Sequence, residues 1–289
     1  MVQVGERGLA LKVKTRLKEH KDDEEGSWTY VFNNFKLLRV LFLEATESDY
    51  CVSCKSPGAI GNLIYLRFLN TIPSSLGNLK CLQTLDLRKE LDSCDLRVPN
   101  VICKLEQLRH LYLPDPQHII GDFKEYLDKN LPIITSKHLQ FLSIRGLQID
   151  PKLVAHLLSS CANLCELVLR GSMNKLPGYH HFPSSITVIR LNECCLMEDP
   201  MPTLEKLRNL MILELDCTSS LGEEMVCSAP HFPKLESLSL RWLTYLEEWK
   251  VEEGAMPALR HLEIDRCKKL KMLPDGLRFI TTLQELKIG

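Results

Sequence analysis

The fold predicted by the sequence is an α/β solenoid of short parallel strands stacked coil on coil. Three observations predict it. The first is a recurring phrase, L-x-x-L-x-L, seen as Leu38-Leu41-Leu43, Leu82-Leu85-Leu87, Leu108-Leu111-Leu113, Leu139-Leu142-Ile144 and Leu164-Leu167-Leu169. It returns as Ile186-Ile189-Leu191, Leu210-Leu213-Leu215, Leu235-Leu238-Leu240, Leu259-Leu262-Ile264 and Leu283-Leu286-Ile288, and a degenerate copy, Leu66 and Leu69, follows the first. The second observation is the spacing between the starts, which reads 28, 16, 26, 31, 25, 22, 24, 25, 24 and 24 residues. Most of these values fall within the roughly 20–29 residues of a leucine-rich repeat. The third is the alternation inside each phrase, where the period-two apolar pair points inward and the residues between point out.

One such strand cannot bury its leucines alone, but a parallel stack buries them in a continuous core. The expected architecture is therefore a leucine-rich-repeat horseshoe with a parallel concave β-sheet and an irregular or short-helical convex side. Residues 1–36 carry no repeat and are charged at Lys18-Glu19-His20-Lys21-Asp22-Asp23-Glu24-Glu25, so they read as a leader, linker or cap fragment. Residues 37–289 form the repeat domain, about eleven repeats, with the degenerate one at 66–81. Its 16-residue step reads as a local deletion in a distorted repeat. Asp150 before Pro151-Lys152-Leu153-Val154-Ala155-His156-Leu157-Leu158 predicts a convex helix, capped by the Asp and begun by the Pro. Gly289 directly follows a strand and no polar capping repeat closes that face, so the chain is expected to be part of a larger protein or the product of a shortened gene.

Composition fits a soluble globular chain, with 45% hydrophobic and 25% charged residues. The net charge of −1, from 36 basic and 37 acidic residues, gives no reason to expect nucleic acid or an anionic membrane as partner. No apolar run reaches the roughly 18 residues of a membrane span, and the first residues hold no apolar signal segment. No Asn stands in an Asn-x-Ser/Thr sequon. Twelve scattered Cys in that setting read as reduced thiols and predict a cytoplasmic location.

No catalytic or cofactor motif is present, and neither an enzyme nor a metal site is expected. Cys194 and Cys267 occupy the ninth repeat position, where a small group fits inside the turn. Cys51-Val52-Ser53-Cys54 lacks further ligands at zinc spacing, and His180-His181 lacks partners. Trp242, Tyr245 and Trp249 read as packing of a convex turn. The informative positions are those facing outward from the strands. Arg88, Arg145, Arg170 and Arg241 follow the last apolar residue of their phrases, and Arg190 lies one position earlier in its own. With strands about 4.8 Å apart these predict a broken basic stripe. Glu214, Asp216, Glu263 and Asp265 make the C-terminal end mixed or acidic, and Phe42, Tyr112 and Phe141 face the same way. Arg and Tyr are favoured interface anchors, so this concave face is the expected protein-binding surface.

Three stretches carry a family resemblance. The first joins Phe35-Lys36-Leu37-Leu38-Arg39-Val40-Leu41 to Ile60-Gly61-Asn62-Leu63-Ile64-Tyr65-Leu66-Arg67. The second runs from Ile72-Pro73-Ser74-Ser75-Leu76-Gly77-Asn78-Leu79 through Leu82-Gln83-Thr84-Leu85-Asp86-Leu87-Arg88 and Val98-Pro99-Asn100-Val101-Ile102 to Leu108-Arg109-His110-Leu111-Tyr112-Leu113. The third runs from Phe232-Pro233-Lys234-Leu235 to Leu273-Pro274-Asp275-Gly276-Leu277. Together they resemble the repeat region of plant intracellular immune receptors of the coiled-coil, nucleotide-binding, leucine-rich-repeat class, over roughly residues 28–289. The resemblance implies a recognition module that senses a pathogen effector or a guarded host protein. In a full-length receptor the same module would also hold the receptor's own nucleotide-binding domain. The phosphate-loop pattern G-x-x-x-x-G-K-[ST] does not occur in this chain. Two other functions compete: a repeat-only adaptor such as the substrate reader of a ubiquitin ligase, and an extracellular receptor ectodomain. The first lacks a preceding F-box-like segment, and the second lacks sequons and regular repeat lengths.

Overall fold

The structure is a computed structural model that describes residues 2–3, 10–13, 34–43, 58–70, 73, 75–88, 102, 105–113, 138–216 and 222–289. Cys51 and Cys54 lie outside these residues. The chain divides into two compact units, Met1–Leu139 and Gln140–Gly289.

In the first unit, β1 (Val2–Gln3) runs antiparallel to β2 (Ala10–Val13), and β2 lies parallel to β3 (Val40–Leu43). Then β4 (Phe68–Leu69), β5 (Thr84–Asp86) and β6 (His110–Tyr112) add on in parallel. Leu41, Leu69, Leu85 and Leu111 stand in one register row and are fully buried. The sequence predicts no repeat in residues 1–36, yet Leu11 and Val13 pair in register with Leu41 and Leu43. The phrase has Gly8 where the repeat places its first Leu, so only Leu11 and Val13 of the pattern remain. The 16-residue coil keeps its strand in the two residues of β4. Its return path is a single 3-10 turn at Leu76–Asn78, which presses the adjoining Ser75 against the preceding turn, Gly58–Asn62. At that contact Gly61 N–H donates to Ser75 Oγ at 2.9 Å. A Cβ on Gly61 would stand 2.4 Å from the Ser75 Cβ, so the tight coil requires glycine there.

The second unit is built from longer strands. β7 (Phe141–Gln148) leads into helix α1 (Pro151–Ser160), and β8 (Glu166–Ser172) and β9 (Val188–Asn192) follow. A one-turn helix α2 (Met201–Leu204) precedes β10 (Ile212–Asp216) and β11 (Glu224–Cys227). The unit ends with β12 (Ser237–Arg241), β13 (Glu248–Val251), β14 (His261–Asp265) and β15 (Glu285–Ile288). β7, β8, β9, β10, β12, β14 and β15 form a parallel sheet in that order. Leu142, Leu167, Ile189, Leu213, Leu238, Leu262 and Leu286 stand side by side, and so do Ile144, Leu169, Leu191, Leu215, Leu240, Ile264 and Ile288. All are buried except Leu286 and Ile288 of the final strand. As expected, Asp150 caps α1 by accepting from Lys152 N–H at 2.9 Å, and the helix buries Val154, Leu157 and Leu158. The sequence did not announce a second parallel pair, β11 with β13, on the return path.

A close backbone approach and a set of hydrogen bonds between coils set the coil spacing. Gly171 has φ of +130°, and a Cβ there would stand 1.4 Å from the Gly146 carbonyl oxygen. Glu193, Trp242 and Arg266 adopt left-handed backbone at the end of their strands. Each donates its N–H to the next coil, to the carbonyls of Asp216, Asp265 and Gly289. Those hydrogen bonds offset a left-handed cost of about 1–2 kcal/mol per residue.

Leu213→Ala is expected to lower the unfolding free energy by about 2–5 kcal/mol, because a fully buried side chain leaves a cavity. The half-exposed neighbour Ser237→Ala should change it by less than about 0.5 kcal/mol. In the same urea titration Gly171→Ala should shift the midpoint down sharply, whereas Gly222→Ala, whose Cβ meets nothing within 4 Å, should not.

Candidate protein-binding face

Parallel pairing, continuous over residues 141–145 of β7 and along the inner strands that follow, turns the outward positions of the second unit into three rows. One holds Arg145, Arg170, Asn192, Asp216, Arg241 and Asp265. The next holds Ser143, Val168, Arg190, Glu214, Ser239, Glu263 and Lys287. The third holds Phe141, Glu166, Val188, Ile212, Ser237, His261 and Glu285. Nine of the eleven expected face residues are thereby brought onto one surface. The other two, Arg88 and Tyr112, belong to the first unit. There Arg88 donates to both Asp86 carboxylate oxygens, at 2.9 and 2.7 Å, and its guanidinium lies 4.2 Å from the Tyr112 ring centre. Phe42 stacks on Phe68 at 6.3 Å.

The expected basic stripe needs correction, because the stacking that aligns the arginines also delivers a carboxylate to most of them. Arg170 Nη2 donates to Glu193 at 2.8 Å. Arg190 sits between Glu166 and Glu214, bonding the first through Nη1 and reaching the second at 3.1 Å through Nε. Arg241 donates to Glu263 Oε2 at 2.6 and 3.2 Å, and the Ser239 hydroxyl donates to the same oxygen at 2.9 Å. Arg145 is exposed and, among the described residues, carries no ion pair or side-chain hydrogen bond. The Arg170 guanidinium holds the Glu193 carboxyl below the usual carboxylate range, and the field of Arg145 adds to it. Arg241, helped by Ser239, does the same for Glu263, while burial pushes the Asp216 carboxyl up. Val168, Val188 and Ile212 add half-exposed apolar side chains on strands β8, β9 and β10, and the Glu166–Arg190 ion pair separates Val168 from the other two. In the sequence an aliphatic residue at an outward position carries no mark that separates it from the core. Glu193 was overlooked because its left-handed turn carries it outside the alternation.

The remaining candidates settle into packing roles. Cys194 is buried, and its thiol donates to the Leu169 and Asn192 carbonyls at 3.6 and 3.5 Å. Cys267 makes the same contacts to Leu240 and Asp265, both at 3.6 Å. Of the three aromatics read as one cluster, only Trp249 packs in the second sheet, where its Nε1–H reaches Cys227 Sγ at 3.5 Å. Trp242 stands at the strand end with the Arg266 guanidinium 4.2 Å over its ring, and Tyr245 is exposed beneath Lys269 at 5.0 Å. The His180 and His181 rings lie 4.1 Å apart, and His181 Nδ1 meets Ser159 Oγ at 2.9 Å. Among the described residues no group of three His, Cys, Asp or Glu is placed to hold a metal, and no helix is long and apolar enough to cross a membrane.

One inner strand per coil, stacked in parallel with apolar rows inside and mixed rows outside, defines a leucine-rich-repeat solenoid. A family model for a leucine-rich repeat region matches residues 23–128. Probable disease resistance RPP8-like protein 4 and Disease resistance protein RPP8, both of Arabidopsis thaliana, are each 36% identical to the chain. Each alignment covers 92% of this chain and 35% of the relative. The chain is thus similar to plant disease-resistance proteins over most of its own length, and it spans about a third of the length of the curated relatives it matches. A chain of the Toll–Spatzle complex from Drosophila superposes with a TM-score of 0.56 at 15% identity, over 90% of this chain and 34% of that one, a likeness of fold alone.

The Arg241–Glu263 pair should show a double-mutant coupling of about 0.2–1 kcal/mol, the size of an accessible ion pair. Because the folded Glu263 carboxyl is shifted down, the coupling is complete above the ordinary carboxylate pKa. It disappears as pH falls through the lowered folded value. Thiol reactivity offers a second check. Burial pushes Cys194 and Cys227 up to about 12 and Cys161 to about 11. Iodoacetamide at neutral pH should therefore alkylate these three only after unfolding, as site-resolved mass spectrometry would show.

Proposed function

We propose that this chain is the ligand-reading repeat region of a plant intracellular immune receptor, acting in the cytoplasm as a non-catalytic binding surface. Its partner is a protein, either a pathogen effector or a guarded host protein. In a longer receptor the same region also rests against the receptor's nucleotide-binding domain. The observation that carries this reading is the outward face of the second unit, where three in-register rows present charged, polar and apolar side chains over a rigid leucine core. Such a surface can change its residues without disturbing the fold, which suits recognition. The disease-resistance names of the relatives support the immune setting.

The test fuses the full chain to a proximity-labelling enzyme in leaves, with and without pathogen challenge. Three variants are compared: Arg145→Glu with Arg170→Glu, Glu263→Lys with Asp265→Lys, and Lys152→Glu on helix α1. A protein labelled by wild type and by the helix variant should be lost from at least one face variant. Equal labelling by all would refute the outward rows as the binding surface.

A further inference from the structure

The inner strands are entered through a recurring tight turn, closed by the N–H of the first buried residue of each phrase. In the first unit Leu38 and Leu66 donate to the carbonyls of Phe35 and Leu63 at 2.9 Å, and Leu82 and Leu108 to those of Leu79 and Leu105 at 3.0 Å. In the second unit Leu164, Ile186, Leu210, Leu235, Leu259 and Leu283 donate three residues back in the same way. The second central residue of the turn is used differently in the two units. In the second it ties the turn to the preceding coil. Ser185 Oγ donates to the Ala162 and Leu164 carbonyls at 3.0 and 2.7 Å, and Asn209 Nδ2 to the Ser184 carbonyl at 2.8 Å. Lys234 Nζ donates to Asn209 Oδ1 at 2.8 Å, and Thr282 Oγ1 to the Pro257 and Leu259 carbonyls at 3.1 and 2.8 Å. In the first unit the same position holds Leu37 and Tyr65 on adjacent coils, 65% and 49% exposed, and Ile64 beside Tyr65 is 51% exposed. An apolar side chain cannot make the tie, and here it is left in water.

Beside these side chains runs a row of cations. Arg67 N–H donates to the Arg39 carbonyl at 2.7 Å, Gln83 N–H to the Arg67 carbonyl at 2.9 Å, and Arg109 N–H to the Gln83 carbonyl at 2.8 Å. Arg39, Arg67 and Arg109 therefore share one row, with Gln83 between the last two. All three are exposed and, among the described residues, none has an ion pair or a side-chain hydrogen bond. From the turn before β3 to β6 the described charged residues are Lys36, Arg39, Arg67, Lys80, Arg88 and Arg109 against Asp86 and Glu106, and Asp86 is taken by Arg88. We infer that this rim of the first unit is a second contact surface, separate from the outward rows, for an acidic protein segment whose carboxylates flank an aromatic or aliphatic side chain. The carboxylates bond the arginine row, and the apolar side chain packs on Leu37, Ile64 and Tyr65. Arg39 and Arg109 are three strand spacings apart, about 14 Å, which suits carboxylates four residues apart on an extended segment. A free guanidinium takes a carboxylate in two parallel hydrogen bonds without giving up an old one. The excess of positive charge sets the sign of the partner, and exposed apolar groups next to Arg and Tyr mark an interface. The aliphatic anchors and the net charge of −1 favour a protein over nucleic acid or an anionic membrane. The inference goes beyond the recognition role of the outward rows and stands apart from it.

The experiment immobilises the full chain and measures binding of three probes by surface plasmon resonance: polyglutamate, a glutamate–tyrosine copolymer and a lysine–tyrosine copolymer. The glutamate–tyrosine copolymer should bind about tenfold more tightly than polyglutamate, the scale of an interface anchor, and the lysine–tyrosine copolymer should not bind. Leu37→Ser with Tyr65→Ser should bring the two acidic probes level. Arg39→Glu with Arg67→Glu should lose both acidic probes and gain the lysine–tyrosine copolymer, a reversal that general damage to the fold would not produce. Lys152→Glu on α1 should behave as wild type. No binding of the acidic probes, equal binding of the two by wild type, or the same profile from the arginine variant would each overturn the inference. So would tighter binding of polyuridylate or of phosphatidylserine vesicles, or self-association in light scattering that Leu37→Ser with Tyr65→Ser abolishes, since the occupant would then be a nucleic acid, a membrane or a second copy. Any of these failures would leave the leaf-labelling test of the outward rows as it stands.

Discussion

Within each unit, described coils from β3 to β6 and from β7 to β15 are tied to the next by one recurring contact at the start of the strand. A single carbonyl accepts two successive N–H groups from the following coil. In the first unit the carbonyls are those of Arg39, Arg67 and Gln83. In the second they are those of Gln140, Cys165, Thr187, Met211, Glu236 and Arg260. A shared acceptor of this kind fixes where the next strand begins, and so fixes register before any side chain is considered. Because strand side chains alternate with a period of two, a slip of one residue would turn every leucine to solvent. The buried rows hold the coils at the depth this contact sets, each Leu contributing roughly 1.5–3 kcal/mol. The ion pairs of the outward face depend on it as well, since Arg190 meets Glu166 and Glu214 only because three coils start level.

The return path adds a second set of ties. Asp199 accepts N–H groups from Met201 at 2.9 Å and, one coil on, from Val226 at 3.0 Å. The buried Glu205 accepts from Ser228 at 3.1 Å, and Glu252 accepts from Ala229 at 2.8 Å. These carboxylates satisfy backbone donors around β11 that its single partner strand leaves over, and burial pushes the Asp199 carboxyl up accordingly. The outer side of these coils is thus held by polar contacts to backbone, and the inner side by leucine.

What was legible in the sequence was whatever repeats. The L-x-x-L-x-L spacing located the inner rows, and Asp150-Pro151 located the start of α1 because capping is a local, one-turn matter. The outward residues were correctly placed on a face, since alternation alone decides that. Their charge state was not legible, because a partner such as Glu193 for Arg170 lies 23 residues away and becomes a neighbour only through coil length. Strands β11 and β13 escaped notice for a related reason: Glu224-Met225-Val226-Cys227 and Glu248-Trp249-Lys250-Val251 resemble each other only as alternating short segments without leucine. Trp242 and Trp249 stand close in the chain, yet Trp242 lies under the Arg266 guanidinium while Trp249 is buried in β13.

The shared carbonyl acceptor has a consequence at the level of the gene. Since the coils of β9, β10, β12 and β14 offer the same donor pair on one side and the same acceptor on the other, any two of them can meet at a seam. Unequal recombination that removes or duplicates a unit of about two dozen codons would leave the hydrogen-bond ladder unbroken. All downstream outward residues would move sideways by one strand, about 4.8 Å, relative to those upstream. New combinations of anchors can therefore arise by shuffling whole coils, with only the two sides of one seam left to repack.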